Sequence, residues 1–87
     1  MPPKDRASKL SRALGAVVRE VRGRRGWSQE ELSERAGLDR TYVSGLERGL
    51  RSPNLRTLDR VAAALEVKLS TLLAATEARL DSRSPAS

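Results

Sequence analysis

Three residues, "GLD" at 37–39, separate two segments that both read as helix, and this spacing is the tightest constraint in the sequence. The segment before them, "SQEELSERA", opens on Ser28 with Glu31 three residues further on. That is a capping box, in which the Ser hydroxyl and the Glu side chain satisfy free N–H groups at a helix start. Leu32 and Ala36 mark the buried face of this helix, and Gly37 supplies its C-terminal turn. Beyond the turn, Asp39 is a good N-cap for the next helix, and Leu38 is placed to pack as a staple. A glycine in so short a connection lets two helices meet at a steep angle, the arrangement of a helix-turn-helix.

The second helix of this pair has two unlike faces. Val43 and Leu46 point to a core, whereas Thr41, Ser44, Gly45 and Arg48 fall at i, i+3, i+4 and i+7 on the other side, with Arg40 beside them near the N-terminus. A recognition helix enters the major groove of DNA with its N-terminal residues nearest the base edges. Arg40 is positioned for bidentate hydrogen bonds to guanine O6 and N7, and Thr41 and Ser44 for bonds to bases or phosphates. Gly45 costs about 1 kcal/mol of helix propensity relative to Ala. It has two readings: it lets the backbone sit close to DNA, or it eases helix packing. Ser28 and Gln29 lie where a helix start can bind one phosphate. Tyr42, Arg48, Arg51 and Asn54 complete the expected phosphate contacts. Core packing competes for Tyr42, and simple solvation for Arg51. Trp27, between a glycine and a cap, reads as core. Arg22 and Glu47 are candidates for a structural ion pair between helices.

The rest of the chain supports these two helices. Residues 1–8 carry Pro2, Pro3 and mixed charge and read as a flexible basic arm. Leu10, Leu14, Val17, Val18 and Val21 trace a helical stripe that Gly23 and Gly26 end. After the loop "GLRSPN", Asn54 caps a helix with Leu55, Leu58, Val61, Ala62 and Leu65 on its apolar face. "EVKLS" breaks the period. Ser70 then caps a fifth helix, about residues 70–80, with Leu69, Leu72, Leu73 and Leu80 as its apolar set. Residues 81–87 read as a disordered tail. The expectation is an all-α domain of five short helices over residues 9–80, with the helix-turn-helix at about 28–48.

Composition narrows the function. With no cysteine and no histidine, disulfides and the usual zinc-ligand sets are excluded. No glycine-rich phosphate loop and no credible paired-carboxylate cleft is present, so an enzyme is not expected, nor any cofactor. A secreted protein this small would normally need disulfide staples, so a reducing cytoplasm is expected, and no signal peptide or membrane-length apolar run is found. The net charge of +6 suggests an anionic partner or good solubility. Most of it lies in residues 1–25, where Lys4, Arg6, Lys9, Arg12, Arg19, Arg22, Arg24 and Arg25 face only Asp5 and Glu20. Residues 26–66 hold six cations against seven anions. A nucleic-acid face there must be made by local placement. A Leu, Val and Ala core in a chain this short supplies roughly 3–5 kcal/mol, so self-association would help.

Three segments, "LGAVVREVRGRRGWSQEELSERAGL", "DRTYVSGLERG" and "SPNLRTLDRVAAALEV", in this order and spacing, resemble the Xre-type helix-turn-helix family of lambda Cro and phage repressor DNA-binding domains. The resemblance covers about residues 10–74. It implies a lambda-repressor-like five-helix domain from bacteria or phage that binds operator DNA as a dimer. The family's phosphate-binding Gln matches Gln29, its base-reading positions match Arg40, Thr41, Ser44 and Gly45, and its Arg–Glu pair matches Arg22 and Glu47. Many members carry a long polar side chain where this sequence has Gly45. Among members the chain is most similar to short stand-alone regulators such as restriction–modification controller proteins. In those the fifth helix forms much of the dimer interface, a role that Leu69, Leu72, Leu73 and Leu80 fit; the same leucines also suit closure of the monomer core.

The expected function is thus a transcriptional regulator that binds double-stranded operator DNA as a homodimer, with no membrane partner and no small-molecule ligand. The alternative is an antitoxin or another protein-interaction module. The short polar segment after Leu80 argues against that alternative.

Overall fold

The computed structural model describes the backbone of residues 3–82 and the side chains of residues 6–81. Five helices follow one another: α1 (Pro3–Arg24), α2 (Gln29–Ala36), α3 (Arg40–Glu47), α4 (Leu55–Leu65) and α5 (Leu69–Ser82). No strand occurs among the described residues. Leu14, Val17 and Val18 of α1 meet Leu32, Val43, Leu46, Val61, Leu65 and Leu72 in one core to which every helix contributes. Each of these large residues is at most a few per cent exposed, and together they form the single apolar centre around which α2 and α3 are held.

The helix ends follow from local chemistry. Ser28 accepts from the Glu31 backbone N–H at 3.0 Å, and Asn54 accepts from that of Thr57 at 2.8 Å. Only half of the expected capping box forms, because the Glu31 carboxylate accepts from Arg35 Nε at 2.7 Å instead. Asp39 holds the N-cap position of α3 but makes no side-chain capping bond. Gly37 takes φ 69°, and Leu38 N–H then donates back to the Ser33 carbonyl at 2.8 Å. This left-handed turn closes α2 and starts the connection to α3. Glu66 performs the same turn after α4 at φ 61° with no glycine to ease it. Its carboxylate meets Arg25, just beyond the end of α1, at 2.9 Å.

Several expectations need correction. The arm predicted over residues 1–8 is helix from Pro3 onward; Met1 and Pro2 lie outside the described residues. Proline suits a first helical turn, where its missing N–H has no partner to lose. Arg6 to Lys9 are exposed and carry no large apolar residue, so no apolar period marks this part of the helix in the sequence, and Leu10, expected on the buried stripe, is itself 38% exposed. At the other end, α5 continues through Asp81 and Ser82, while 83–87 lie outside the described residues. Ser70 is not the cap of α5: the helix begins at Leu69, and Leu72 N–H donates to the Lys68 carbonyl at 3.0 Å. Leu55, expected on the buried face of α4, is 69% exposed because it sits on the first turn, before the helix reaches the core.

At Gly15, the backbone of α1 comes close to the end of α3. A Cβ built on Gly15 would stand 2.5 Å from the Glu47 carbonyl oxygen, and closer still to that of Leu46. One helix turn earlier, Arg12 occupies the space where a Cβ on Gly49 would be, with its Cα 2.8 Å away. Gly49 also has φ 77°. Neither contact was foreseen from the sequence, although a glycine inside an otherwise unbroken apolar stripe is a signal of close approach.

Candidate nucleic-acid interface

The outward face of α3 and the first turn of α2 form the candidate site. Val43 and Leu46 are fully buried beneath it, and Glu47 is 8% exposed. Arg40 and Thr41 are exposed at the start of α3, and Ser44 is half-buried in its middle. Arg48 terminates the helix, exposed, with its Nε 3.4 Å from the Ser44 carbonyl. Arg40, Thr41, Ser44 and Arg48 therefore share the outer side that the helical spacing assigns to them.

A polar network fixes the angle between these helices. Arg22 of α1 donates from Nε and Nη2 to the two carboxylate oxygens of Glu47, at 2.6 and 2.9 Å. Its remaining Nη1 donates to the Trp27 carbonyl at 2.7 Å. Gln29 Nε2 then donates to Glu47 Oε1 at 3.0 Å. The predicted Arg22–Glu47 pair is thus a bidentate bridge, the geometry that makes Arg–carboxylate bonds strong and directional. The hydrogen bonding to Glu47 raises the Arg22 pKa above its ordinary value; burial opposes this and the opposite charge adds to it. Every buried polar side-chain atom among the described residues has a partner.

Several expected site residues are placed differently from their sequence reading. Gln29 is half-buried, with one amide hydrogen committed to Glu47, so the backbone N–H groups of the first turn and its second amide hydrogen are what a phosphate would meet. Ser28 and Asn54 are exposed but engaged as caps. Gly45 is buried rather than open: a Cβ there would lie 3.2 Å from Arg51 Cγ and 3.3 Å from its Nε. The Arg51 guanidinium lies 5.5 Å from the centre of the Tyr42 ring, and Tyr42 packs against the core edge. Trp27 is half-buried at the core margin, with the Arg35 and Arg25 guanidiniums 4.1 and 5.4 Å from its ring centre.

A helix-turn-helix family model matches residues 18–72, well over half of the chain. The chain belongs to the Xre-type helix-turn-helix family. Members of this family are DNA-binding transcriptional regulators of bacteria and phage. A hypothetical transcription factor of Neisseria meningitidis is 44% identical over 71 residues, covering 82% of this chain and 67% of the relative. The match spans between 36% and 55% of several further curated regulators. Among solved structures, the restriction–modification controller protein C.AhdI of Aeromonas hydrophila is 41% identical, with a TM-score of 0.69 over 70% of this chain and 92% of that one. A second controller protein, C.Esp1396I, solved as a tetramer in complex with its natural 35 base-pair operator, is 30% identical, with a TM-score of 0.76 over 82% and 93% of the two chains.

Within this helix-turn-helix chain, the described residues hold no group of His, Cys, Asp or Glu able to bind a metal ion. No described helix is long and apolar enough to cross a membrane. Leu72, one of the four expected interface leucines, is 1% exposed and belongs to the monomer core. Leu69 and Leu80 are half-buried, and Leu73 is 38% exposed.

Proposed function

We propose that this protein is a sequence-specific transcriptional regulator that binds a palindromic operator as a homodimer, with α3 in the major groove, in the manner of restriction–modification controller proteins. The carrying observation is the division of α3 into two faces. Val43, Leu46 and Glu47 anchor it to the core and to Arg22, while Arg40 and Thr41 stand exposed on the free side. A helix held this rigidly presents its side chains with little left to order on binding, which favours specific contact. Arg40 reads guanine, Thr41 and Ser44 add contacts to bases or phosphates, and Gln29 with the α2 first turn clamps the backbone. Support from similarity comes from the controller protein solved on its own operator.

Selection of random duplex DNA by the purified protein, at near-physiological salt, tests the reading. The expected product is a two-fold symmetric motif with half-sites about 34 Å apart. Salt-sensitive binding with no enriched motif would count against sequence-specific regulation. On the selected site, Arg40→Ala is expected to cost about 1–3 kcal/mol and to relax preference at one base pair. Equal losses on selected and random DNA would remove Arg40 from base reading.

The dimer is assigned to the outer side of α5. Leu73 and Leu10, each 38% exposed, line one apolar groove with Leu14, Pro53 and Leu58. Leu73→Glu is expected to shift the protein toward monomer in sedimentation equilibrium while leaving its helical circular dichroism intact. An unchanged dimer would place the interface elsewhere.

A further inference from the structure

Arg51 lies beyond the end of α3, yet its side chain returns to the helix. Leu50 N–H donates to the Gly45 carbonyl at 2.9 Å, which folds the loop back toward the middle of α3. From there the Arg51 stem crosses the bare backbone of Gly45, and its guanidinium lies over the Tyr42 ring. Gly45 and Tyr42 are three residues apart and therefore neighbours on the helix surface. Gly45 belongs to the same stripe as Thr41, Ser44 and Arg48, the side proposed to face DNA.

We infer that Gly45 and Tyr42 form a seat that holds Arg51 against the groove-facing side of α3, making Arg51 a second guanine-reading arginine beside Arg40. The inference rests on the proposed docking of α3 in the major groove. A loop arginine carries about 2 kcal/mol of rotamer entropy, which an ordered base contact must overcome. The seat removes part of that freedom in advance. Stacking on Tyr42 supplies an attractive surface for the planar cation. The missing Cβ at position 45 supplies the room. With a Cβ in place, Arg51 Cγ and Nε would sit at 3.2 and 3.3 Å from it, tighter than ordinary contact, and the arginine stem would have to shift by a few tenths of an ångström. The glycine thus acts through Arg51 and not through direct approach of the α3 backbone to DNA. Gly45 and Tyr42 are positioning residues; Arg51 makes the contact, through the two-pronged fork that matches guanine O6 and N7 and that a lysine lacks.

The test uses the selected operator, each single-base variant of it, and a random duplex, with full-length protein at near-physiological salt. Circular dichroism on every variant establishes that it is folded. Arg51 is exposed, so Arg51→Ala and Arg51→Lys are read without concern for the core. Both are expected to lower operator affinity about 5- to 150-fold, the range of one bidentate base contact. Both should flatten preference at one base pair, with random-duplex affinity falling far less. Gly45→Ala should weaken preference at the same base pair in the wild-type background, by less than Arg51→Ala does, and add nothing to Arg51→Ala. Tyr42→Phe, which keeps the ring, should retain the preference that Tyr42→Leu loses.

Equal losses on operator and random duplex for Arg51→Ala, with Arg51→Lys close to wild type, would make Arg51 a phosphate contact and overturn the inference alone. So would a Gly45→Ala penalty that persists in full when Arg51 is already alanine. A wild-type protein that selects no motif would overturn the proposed function together with this inference.

Discussion

Gly15→Ala is expected to remove most of the protein's stability and leave the folded state marginal. In an unconstrained helix this substitution is favourable by about 1 kcal/mol. Here the added methyl would be driven into the Leu46 and Glu47 carbonyls, with the Glu47 carbonyl carbon only 2.8 Å from it. Backbone atoms cannot swing aside as a side chain can. α1 and α3 must separate, and that separation loosens Val18 and Leu14 from Val43 and Leu46. Overpacking of this kind costs about 3 kcal/mol, most of the roughly 3–5 kcal/mol available to a chain of this size. Urea denaturation followed by circular dichroism reads the loss directly. Gly23→Ala is the internal control: it lies on α1 with nothing within 4 Å of a new Cβ, and should stabilise the protein slightly. A Gly15→Ala protein as stable as the Gly23→Ala protein would refute the close approach of α1 to α3.

Glu47→Ala is expected to destabilise the fold by about 3–5 kcal/mol, the usual result of breaking a buried pair from one side. The carboxylate side chain is 2% exposed and that of Arg22 15%. Its removal strands the guanidinium's Nε and Nη2 and the Gln29 amide, three donors that lose their acceptor together. The double replacement Arg22→Met with Glu47→Leu should be less damaging than Glu47→Ala alone, since it leaves no unpaired charge. Denaturation of the wild type, Glu47→Ala, the Arg22→Met and Glu47→Leu single variants and the double variant in parallel decides the matter, with protein concentration held constant. Two observations would contradict the account. One is a Glu47→Ala protein of near wild-type stability. The other is a double variant that loses the sum of both single losses. Because Gln29 is oriented by Glu47, the folded fraction of Glu47→Ala should also bind random DNA more weakly.

The two predictions concern residues that differ in how visible they were. The Arg22–Glu47 pair was a candidate bridge from the residues and matched the family's Arg–Glu pair, and the helix-turn-helix was legible from its capping residues and the "GLD" turn. Those caps act within four residues, so sequence spacing displays them. Gly15 was overlooked because a helix tolerates glycine, and its place inside the apolar stripe hints at a close approach without saying to what. Its role comes from a carbonyl on a different helix, over thirty positions away.

The same distinction separates the leucines. Leu72 and Leu73 are adjacent and equally apolar, yet Leu72 is sealed in the core and Leu73 lines a surface groove. A helical period says that they point in different directions; only the packing of α5 against α1 and α4 says which direction is the interior. Leu55 failed for a related reason, since the stripe of α4 is correct in period but its first turn projects past the core.

Local interactions determined by the sequence alone extend to the five helices, most of their ends, the α2–α3 turn and the polarity of α3's two faces, because hydrogen bonds of caps and the 3.6-residue period act between near neighbours in the chain. Tertiary structure decided which glycine admits a neighbouring backbone, that Gln29 bonds inward to Glu47, and that Arg51 rather than open space covers Gly45. Each of these depends on the distance between two elements. That distance is fixed by the packing of the whole core at once, and no short stretch of the chain carries it.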